Sequence, residues 1–446
     1  MFDMRRIVGL DSVFERRPLR VVALGALGAA LAWAIVTTNI MPHVAERAPG
    51  VALLLASDNP NVVFGVVDRK INPDSAAESA AIVAPPAMSR SARDRLRRRA
   101  QSALLRSPLD ARGLRILGQL APEESAAADF MELAARHSLN EYRAHHWLLQ
   151  KRLSEGRYAE ALLSADIVLR TRPQLMPFIA PYLERMAEDR TASIALERML
   201  ARNPPWRERF LTHLPSIVSD VRAPLRLMLA LKNTAHPAGA ESQRRYFEFL
   251  FERRVYDFAY YAWRQLLPPE RAQNEATLYN GDFAFPPSGS PFDWLLRSGA
   301  GARIDIASAS EDSRALRIDY GPGRVAPHVA MQFIKLPAGA YRMAGRYRGE
   351  IAGRRGPRWR VACVNANGSI GESEMGMGRI RDWRHFEFEF IVPDKDCAMQ
   401  SARLELDARS PSEWIVAGEI SYADLKIEPI GEGAPSATVG GPSGAQ

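Results

Sequence analysis

Three histidines, His137, His145 and His146, are the residues whose type first suggests metal or acid–base chemistry. All three fall in a stretch of helical period. His145 and His146 are adjacent, so they leave a helix on different faces and do not easily share one ion. No His-Glu-x-x-His, no Gly-x-Ser-x-Gly and no phosphate loop occurs, and the Gly-Pro-Gly-Arg at 321–324 reads as a turn between strands. Glu387 and Glu389 share a strand face, but no neighbouring residue marks either as a proton donor. Neither a catalytic centre nor a cofactor is expected. Cys363 and Cys397 are the only cysteines and lack the His cluster of a zinc site. On neighbouring strands of an exported domain they are expected to pair as one disulfide.

Recognition chemistry is better represented. Arg342, Arg346, Arg348, Arg358 and Arg360 occupy one parity of alternating sequence, with Arg317 and Asp319 in a similar position. A guanidinium meets a carboxylate through two parallel hydrogen bonds, so such a face suits an acidic polysaccharide. It equally suits a solvated face or a docking surface for the helical part. Tyr341, Met343 and Tyr347 share the opposite parity, as do Trp359 with Val361 and Phe386 with Phe388 and Phe390. Those rings belong to a core. Trp294, Trp383 and Trp414 stand at junctions of turn and strand, where a ring can lie open to a pyranose. The candidate ligand residues are therefore Trp294, Trp383, Trp414, Arg346, Arg348 and Arg360.

The element that must carry them begins after Tyr279, where the period changes from helical to alternating. "ARIDIAS", "RALRIDYG", "YRMAGRYRGEI", "RWRVACV", "HFEFEFIVP", "SARLELDA" and "ISYADLKIEPI" each alternate apolar and polar residues between short turns. Strands of this number and spacing predict a β-sandwich or jelly roll over 276–430. The stretch Asn280 to Trp294 (NGDFAFPPSGSPFDW) resembles the opening of carbohydrate-binding-module-like, galactose-binding-like jelly rolls. These often start Asn-Gly-x-Phe and reach a Trp after a Gly/Pro turn. Gly418, Ile420, Tyr422 and Asp424 resemble the last-strand pattern of the same family. The resemblance implies the fold, and a sugar ligand as an expectation.

Residues 92–275 keep a helical period. The clearest unit, Ala144 to Pro173, has a helix, a turn at Gly156, and a second helix with Ala161 and Ala165 on its apolar stripe. It resembles a tetratricopeptide repeat: Gly156 in the turn, Tyr158 packing at the start of the second helix, Ala161 and Ala165 letting the helices approach, and Pro173 closing. His145 stands where that family places its early Trp, so a generic helical bundle stays open as the alternative. The resemblance implies a solenoid whose concave side holds a protein partner. The run Arg90–Arg99 reads as a solvated helix start rather than a nucleic-acid arm, because apolar residues continue behind it at helical spacing.

From Val21 to Met41 no charged residue occurs, behind Arg5, Arg6, Arg16, Arg17 and Arg20. That pattern predicts a transmembrane helix over 21–41, with residues 1–20 cytoplasmic and the body periplasmic, anchored in a bacterial inner membrane. A cleaved signal peptide is the rival, since Ala32-Trp33-Ala34 has the small-x-small form, but it lies inside the apolar run. The whole chain, with 446 residues, 47% hydrophobic and 25% charged, is long enough for several domains and not disordered throughout. The expected class is multidomain: a transmembrane helix, a connecting segment at 42–91, an all-α helical-repeat solenoid at 92–275, an all-β jelly-roll sandwich at 276–430 and a disordered tail at 431–446. The expected role is a non-catalytic, membrane-anchored envelope protein. Its repeats would bind a protein and its jelly roll polysaccharide, as an accessory to exopolysaccharide or envelope-glycan synthesis or export. The alternative is a protein–protein scaffold whose sandwich binds no glycan.

Overall fold

The computed structural model describes residues 17–36, 41, 44, 48–72, 88–273, 276–299, 301–310, 313–321, 325, 328–408 and 410–431. The expected cytoplasmic segment up to residue 16, the Ala/Pro/Ser connection at 73–87, the turn at 322–324 and the tail from 432 lie outside the described residues. The chain divides into two units, Met1–Trp206 and Arg207–Gln446. The helices from 207 to 272 thus fall in the same unit as the strands.

The expected membrane span is corrected. Helix α1 (Arg17–Ile35) takes Arg17 and Arg20 into its first turn, and its uncharged part ends at Ile35. At about 1.5 Å per residue that part rises only ~22 Å, against a hydrocarbon core of about 30 Å. No helix among the described residues is long and apolar enough to cross a membrane. The inner-membrane placement, which rested on that span, falls with it.

In the first unit, α2 (Pro49–Leu55), α3 (Pro60–Ile71) and α4 (Arg90–Leu104) are followed by α5 (Ala111–Leu120) and α6 (Glu124–His137). Then come α7 (Tyr142–Ser154), α8 (Tyr158–Thr171), α9 (Met176–Glu188) and α10 (Arg190–Ala201). Side chains fix several starts: Ser89 accepts from Ala92 N, Asp110 from Gly113 N, and Asp189 from Thr191 and Ala192 N. Helices α7 and α8 form a hairpin around Gly156, whose φ of 72° is the left-handed region that glycine enters without cost. Ala161 and Ala165 are fully buried and Tyr158 is half-buried. Pro173 does not close the chain there; it opens a short 3₁₀ turn, Pro173–Leu175, that leads straight into α9.

One buried charge organises the early helices. Arg115 on α5 is 1% exposed and reaches Asp68 on α3 and Glu141 before α7, each at 2.8 Å. Burial alone would push the Asp68 carboxyl up, but the Arg115 and Arg143 guanidiniums and the Asn72 amide hold it below its ordinary value. His145 and His146 lie buried on α7, and neither Nε2 finds a hydrogen-bond partner among the described residues. Burial lowers both rings, His146 to about 4.

The second unit starts with α11 (Arg207–His213), α12 (Ala223–Lys232), α13 (Ala240–Glu252), α14 (Tyr256–Leu266) and α15 (Pro269–Ala272). Among the described residues ten strands follow: β1 (Leu295–Leu296), β2 (Ala302–Ser310), β3 (Ser313–Tyr320), β4 (His328–Ile334), β5 (Gly339–Gly353), β6 (Pro357–Cys363), β7 (Gly371–Glu372), β8 (Gly378–Val392), β9 (Gln400–Leu406) and β10 (Val416–Pro429). They form two antiparallel sheets, in the orders β1-β4-β9-β6-β7 and β2-β3-β10-β5-β8. Alternation places Met343, Tyr347, Trp359, Val361, Leu404, Ile420 and Tyr422 in the core between them. Phe390 is buried with them, whereas Phe386 and Phe388 are only half-covered, because β8 is an edge strand.

Histidine burial yields a pH signature. Below about pH 6.5 the unfolded chain takes up a proton on His146 that the folded chain refuses until about 4. The resulting stability is complete above 6.5 and is lost as pH falls through that window. Urea unfolding followed by circular dichroism should show a loss of about 2–3 kcal/mol between pH 7 and pH 4.5 that His146→Leu removes. An identical pH profile in that variant would refute the assignment.

Candidate functional site

The opening stretch of the sandwich seals the core rather than offering a ligand surface. Asn280, fully buried, accepts from Phe285 N at 3.0 Å and donates back to Phe285 O at 2.9 Å. Asp293 accepts from the backbone N–H groups of Ser288 and Trp294, each at 2.8 Å. Trp294 donates its indole N–H to Asn280 O at 2.8 Å and packs against Phe283 and Trp359. It is 0% exposed. The candidate Trp294 is therefore corrected to a core residue: its ring has no face left for a sugar.

The two sheets have outer faces of different character. The first meets the helices of its own unit, with Phe251 on Phe333 at 4.5 Å between ring centres. Tyr256 donates to Asn365 at 2.9 Å, and Lys335 pairs with Asp257 at 2.6 Å. Its arginines on β6 are already neutralised. Arg358 pairs with Glu372 and Asp407, and Arg360 with Glu372, Glu405 and Asp407, the last at 2.6 Å. Arg360 is thus separated from Arg346 and Arg348, which lie on β5 in the other sheet. The single arginine-lined face read from parity is corrected, because β5 and β6 are consecutive in sequence yet belong to opposite layers.

The outer face of the second sheet carries the remaining candidates. Opposite Arg348 the edge strand bulges: Tyr347 pairs with Arg384 and Gly349 with Ile380, leaving Arg381, Asp382 and Trp383 against one residue. The bulge brings the half-buried Trp383 ring beneath two guanidiniums, those of Arg346 at 5.0 Å and Arg348 at 4.7 Å from its centre. A second bulge in β10, between Ala423 and Lys426, puts Asp424 at a φ of 51° and lets it pair with Arg346. Beside this cluster lies a hollow of about 260 Å³, lined by Arg317, Arg348, Arg381, Glu419 and Ser421 over a floor of Ala307, Ala315 and Gly349.

The hollow's charges are unequally answered. Arg317 holds Glu419 at 3.2 Å and Asp319 at 3.4 Å. Arg342, farther along the strand, holds Glu389 at 2.9 Å. Among the described residues no carboxylate pairs with Arg348 or Arg381. Trp414 stands apart, half-buried in a 3₁₀ turn with its carbonyl accepting from Val325 N. Cys363 and Cys397 are joined by a disulfide, Cα to Cα 5.0 Å, within the sandwich core. Among the described residues no cluster of His, Cys, Asp or Glu could hold a metal ion. Arg381, Glu419 and Ser421 are the site residues that alternation did not single out. They sit on strands that alternation marks, but only pairing brings them together.

No family model matches the chain, and no curated protein matches it. Among solved structures, the region of antiparallel sheets is similar to carbohydrate-binding modules. One, described as CBM4 structure and function, is 18% identical, covering 34% of this chain and 99% of its own, with a TM-score of 0.27. A second, TmCBM61 in complex with beta-1,4-galactotriose, is 16% identical over 35% of this chain and 99% of its own, with a TM-score of 0.24. A third, the CBM22-1-GH10 modules of a Clostridium thermocellum xylanase complexed with xylohexaose, is 11% identical over 31% and 26%, with a TM-score of 0.22. What the site can do rests on its own residues.

The two tryptophans should behave oppositely. Trp294→Ala empties a fully buried site and should cost about 3–5 kcal/mol in chemical unfolding. Trp383→Ala removes a half-exposed ring and its guanidinium contacts and should cost about 1 kcal/mol or less. Equal losses would contradict the division between core ring and surface ring.

Proposed function

We propose that the sandwich is a non-catalytic glycan-binding module that acts through the outer face of the β2-β3-β10-β5-β8 sheet. The observation that carries this reading is the hollow at Arg348: a concave, hydroxyl- and guanidinium-lined surface whose Arg348 is braced on the Trp383 ring. Sugars bind in concave places where a few fixed polar groups orient their hydroxyls. The Trp383 ring lies under the Arg346 and Arg348 guanidiniums and fixes them, so little ordering remains to oppose binding.

The helical hairpins of the first unit take the second role, engaging a protein partner as tetratricopeptide-like repeats. Supporting this are the Gly156 turn and the buried small residues Ala161 and Ala165, which bring α7 and α8 close. A chain that joins the two activities suits an accessory to polysaccharide synthesis or export. A scaffold without glycan binding is the second reading. One observation favours it: Arg317, Arg342 and Arg346 already hold carboxylates of the same face, as a solvated or docking surface would.

Affinity electrophoresis of the full chain against a panel of polysaccharides separates the two. Retention by at least one polymer is expected. Trp383→Ala should weaken it by about three- to tenfold, because Arg348 loses the ring that orders it. A chain retained by none of them leaves the scaffold reading.

A further inference from the structure

The charge left over in the hollow says which glycan fits. Three guanidiniums line it, from Arg317, Arg348 and Arg381, and one carboxylate, from Glu419. Glu419 is engaged by Arg317, so among the described residues the pair without a carboxylate partner is Arg348 and Arg381. Arg348 projects from a central strand and is braced on the Trp383 ring, while Arg381 comes from the bulged edge strand facing it. The floor between them is Ala307, Ala315 and Gly349, residues too short to fill the space or to supply a counter-charge.

We propose that this hollow takes an anionic saccharide, a uronate residue whose carboxylate lies against Arg348 and Arg381 while its hydroxyls meet Ser421 and Glu419. The proposal rests on the glycan-binding reading and names its ligand class. Planar guanidiniums match a carboxylate through paired hydrogen bonds, and stacking on Trp383 pre-orients one of them. A neutral sugar would leave both cations unanswered. Glu419 does not repel the ligand's carboxylate strongly, because Arg317 already neutralises it at 3.2 Å.

The test uses the full chain with polygalacturonate, alginate and hyaluronate, fully methyl-esterified polygalacturonate, dextran sulfate and poly-glutamate. Titrations are run at about 50 mM and about 0.5 M salt. At least one polyuronate should bind. For polygalacturonate, esterification should cost about tenfold in affinity, since it removes a hydrogen-bonded charge while keeping the sugar backbone. Arg348→Ala and Arg381→Ala should each cost about as much for the bound polyuronate, and higher salt several-fold. Arg95→Ala, which deletes the same charge from an exposed position on α4, should change nothing. Neutral polymers bound as tightly as polyuronates, without salt dependence, would overturn the anionic ligand and leave glycan binding standing. Binding only to dextran sulfate would overturn the carboxylate. Binding of poly-glutamate as tight as that of the polyuronates would overturn the saccharide, and no binding to any sugar polymer would overturn both readings.

Discussion

The pairing of β5 with β10 is the contact on which the rest of the sandwich depends. It is the long central pair of its sheet, and it carries two sets of side chains at once. Met343, Tyr347, Ile420, Tyr422 and Ile427 face the core, while Arg346, Arg348, Glu419 and Ser421 face outward. A slip of one residue would exchange the two sets. Close backbone approach fixes the register. A Cβ at Gly418 would stand 1.9 Å from Glu350 O, and one at Gly349 2.2 Å from Glu419 O. Only glycine fits at these two places, so the strands meet in one alignment.

From that alignment the difference between the outer faces follows. On the first sheet both arginines of β6 pair with Glu372 and Asp407, and Phe333 lies against Phe251 of the helices. On the second, a bulge lets Asp424 pair with Arg346, while among the described residues no carboxylate pairs with Arg348 or Arg381. The candidate site is set apart by charge left without a carboxylate partner among the described residues in a concave place, not by charge collected. The same arginine-rich composition occurs on both faces and means opposite things on them.

The first unit shows the same economy with a buried ion pair. Arg115 ties α3, α5 and the start of α7 through Asp68 and Glu141, so three segments distant in sequence share one desolvated cation. Losing one partner would strand the others, which makes the arrangement all-or-none.

Alternation in the sequence by itself determined that residues after Tyr279 form strands and which rings, Tyr341, Tyr347 and Trp359, enter the core, because a period of two needs no long-range information. Helical spacing likewise marked the α7–α8 hairpin and its small buried residues. Sequence left Trp294 between two readings, a residue covering one end of the core with Phe292 and Asp293 or an exposed ring, and the hydrogen bond to Asn280 decides for the core. Nor could it assign β5 and β6 to different layers, which put Arg360 away from Arg346 and Arg348. The uncharged run at the N-terminus suggested a span, but no helix among the described residues is long and apolar enough to cross a membrane. The bulge that builds the hollow is the deepest case. Setting Arg381, Asp382 and Trp383 against Arg348 alone keeps every later side chain on its original face, so the pattern of alternation carries no trace of it. Only the tertiary pairing, where one strand runs longer than its neighbour, decided that Arg348 meets Trp383 and faces Arg381.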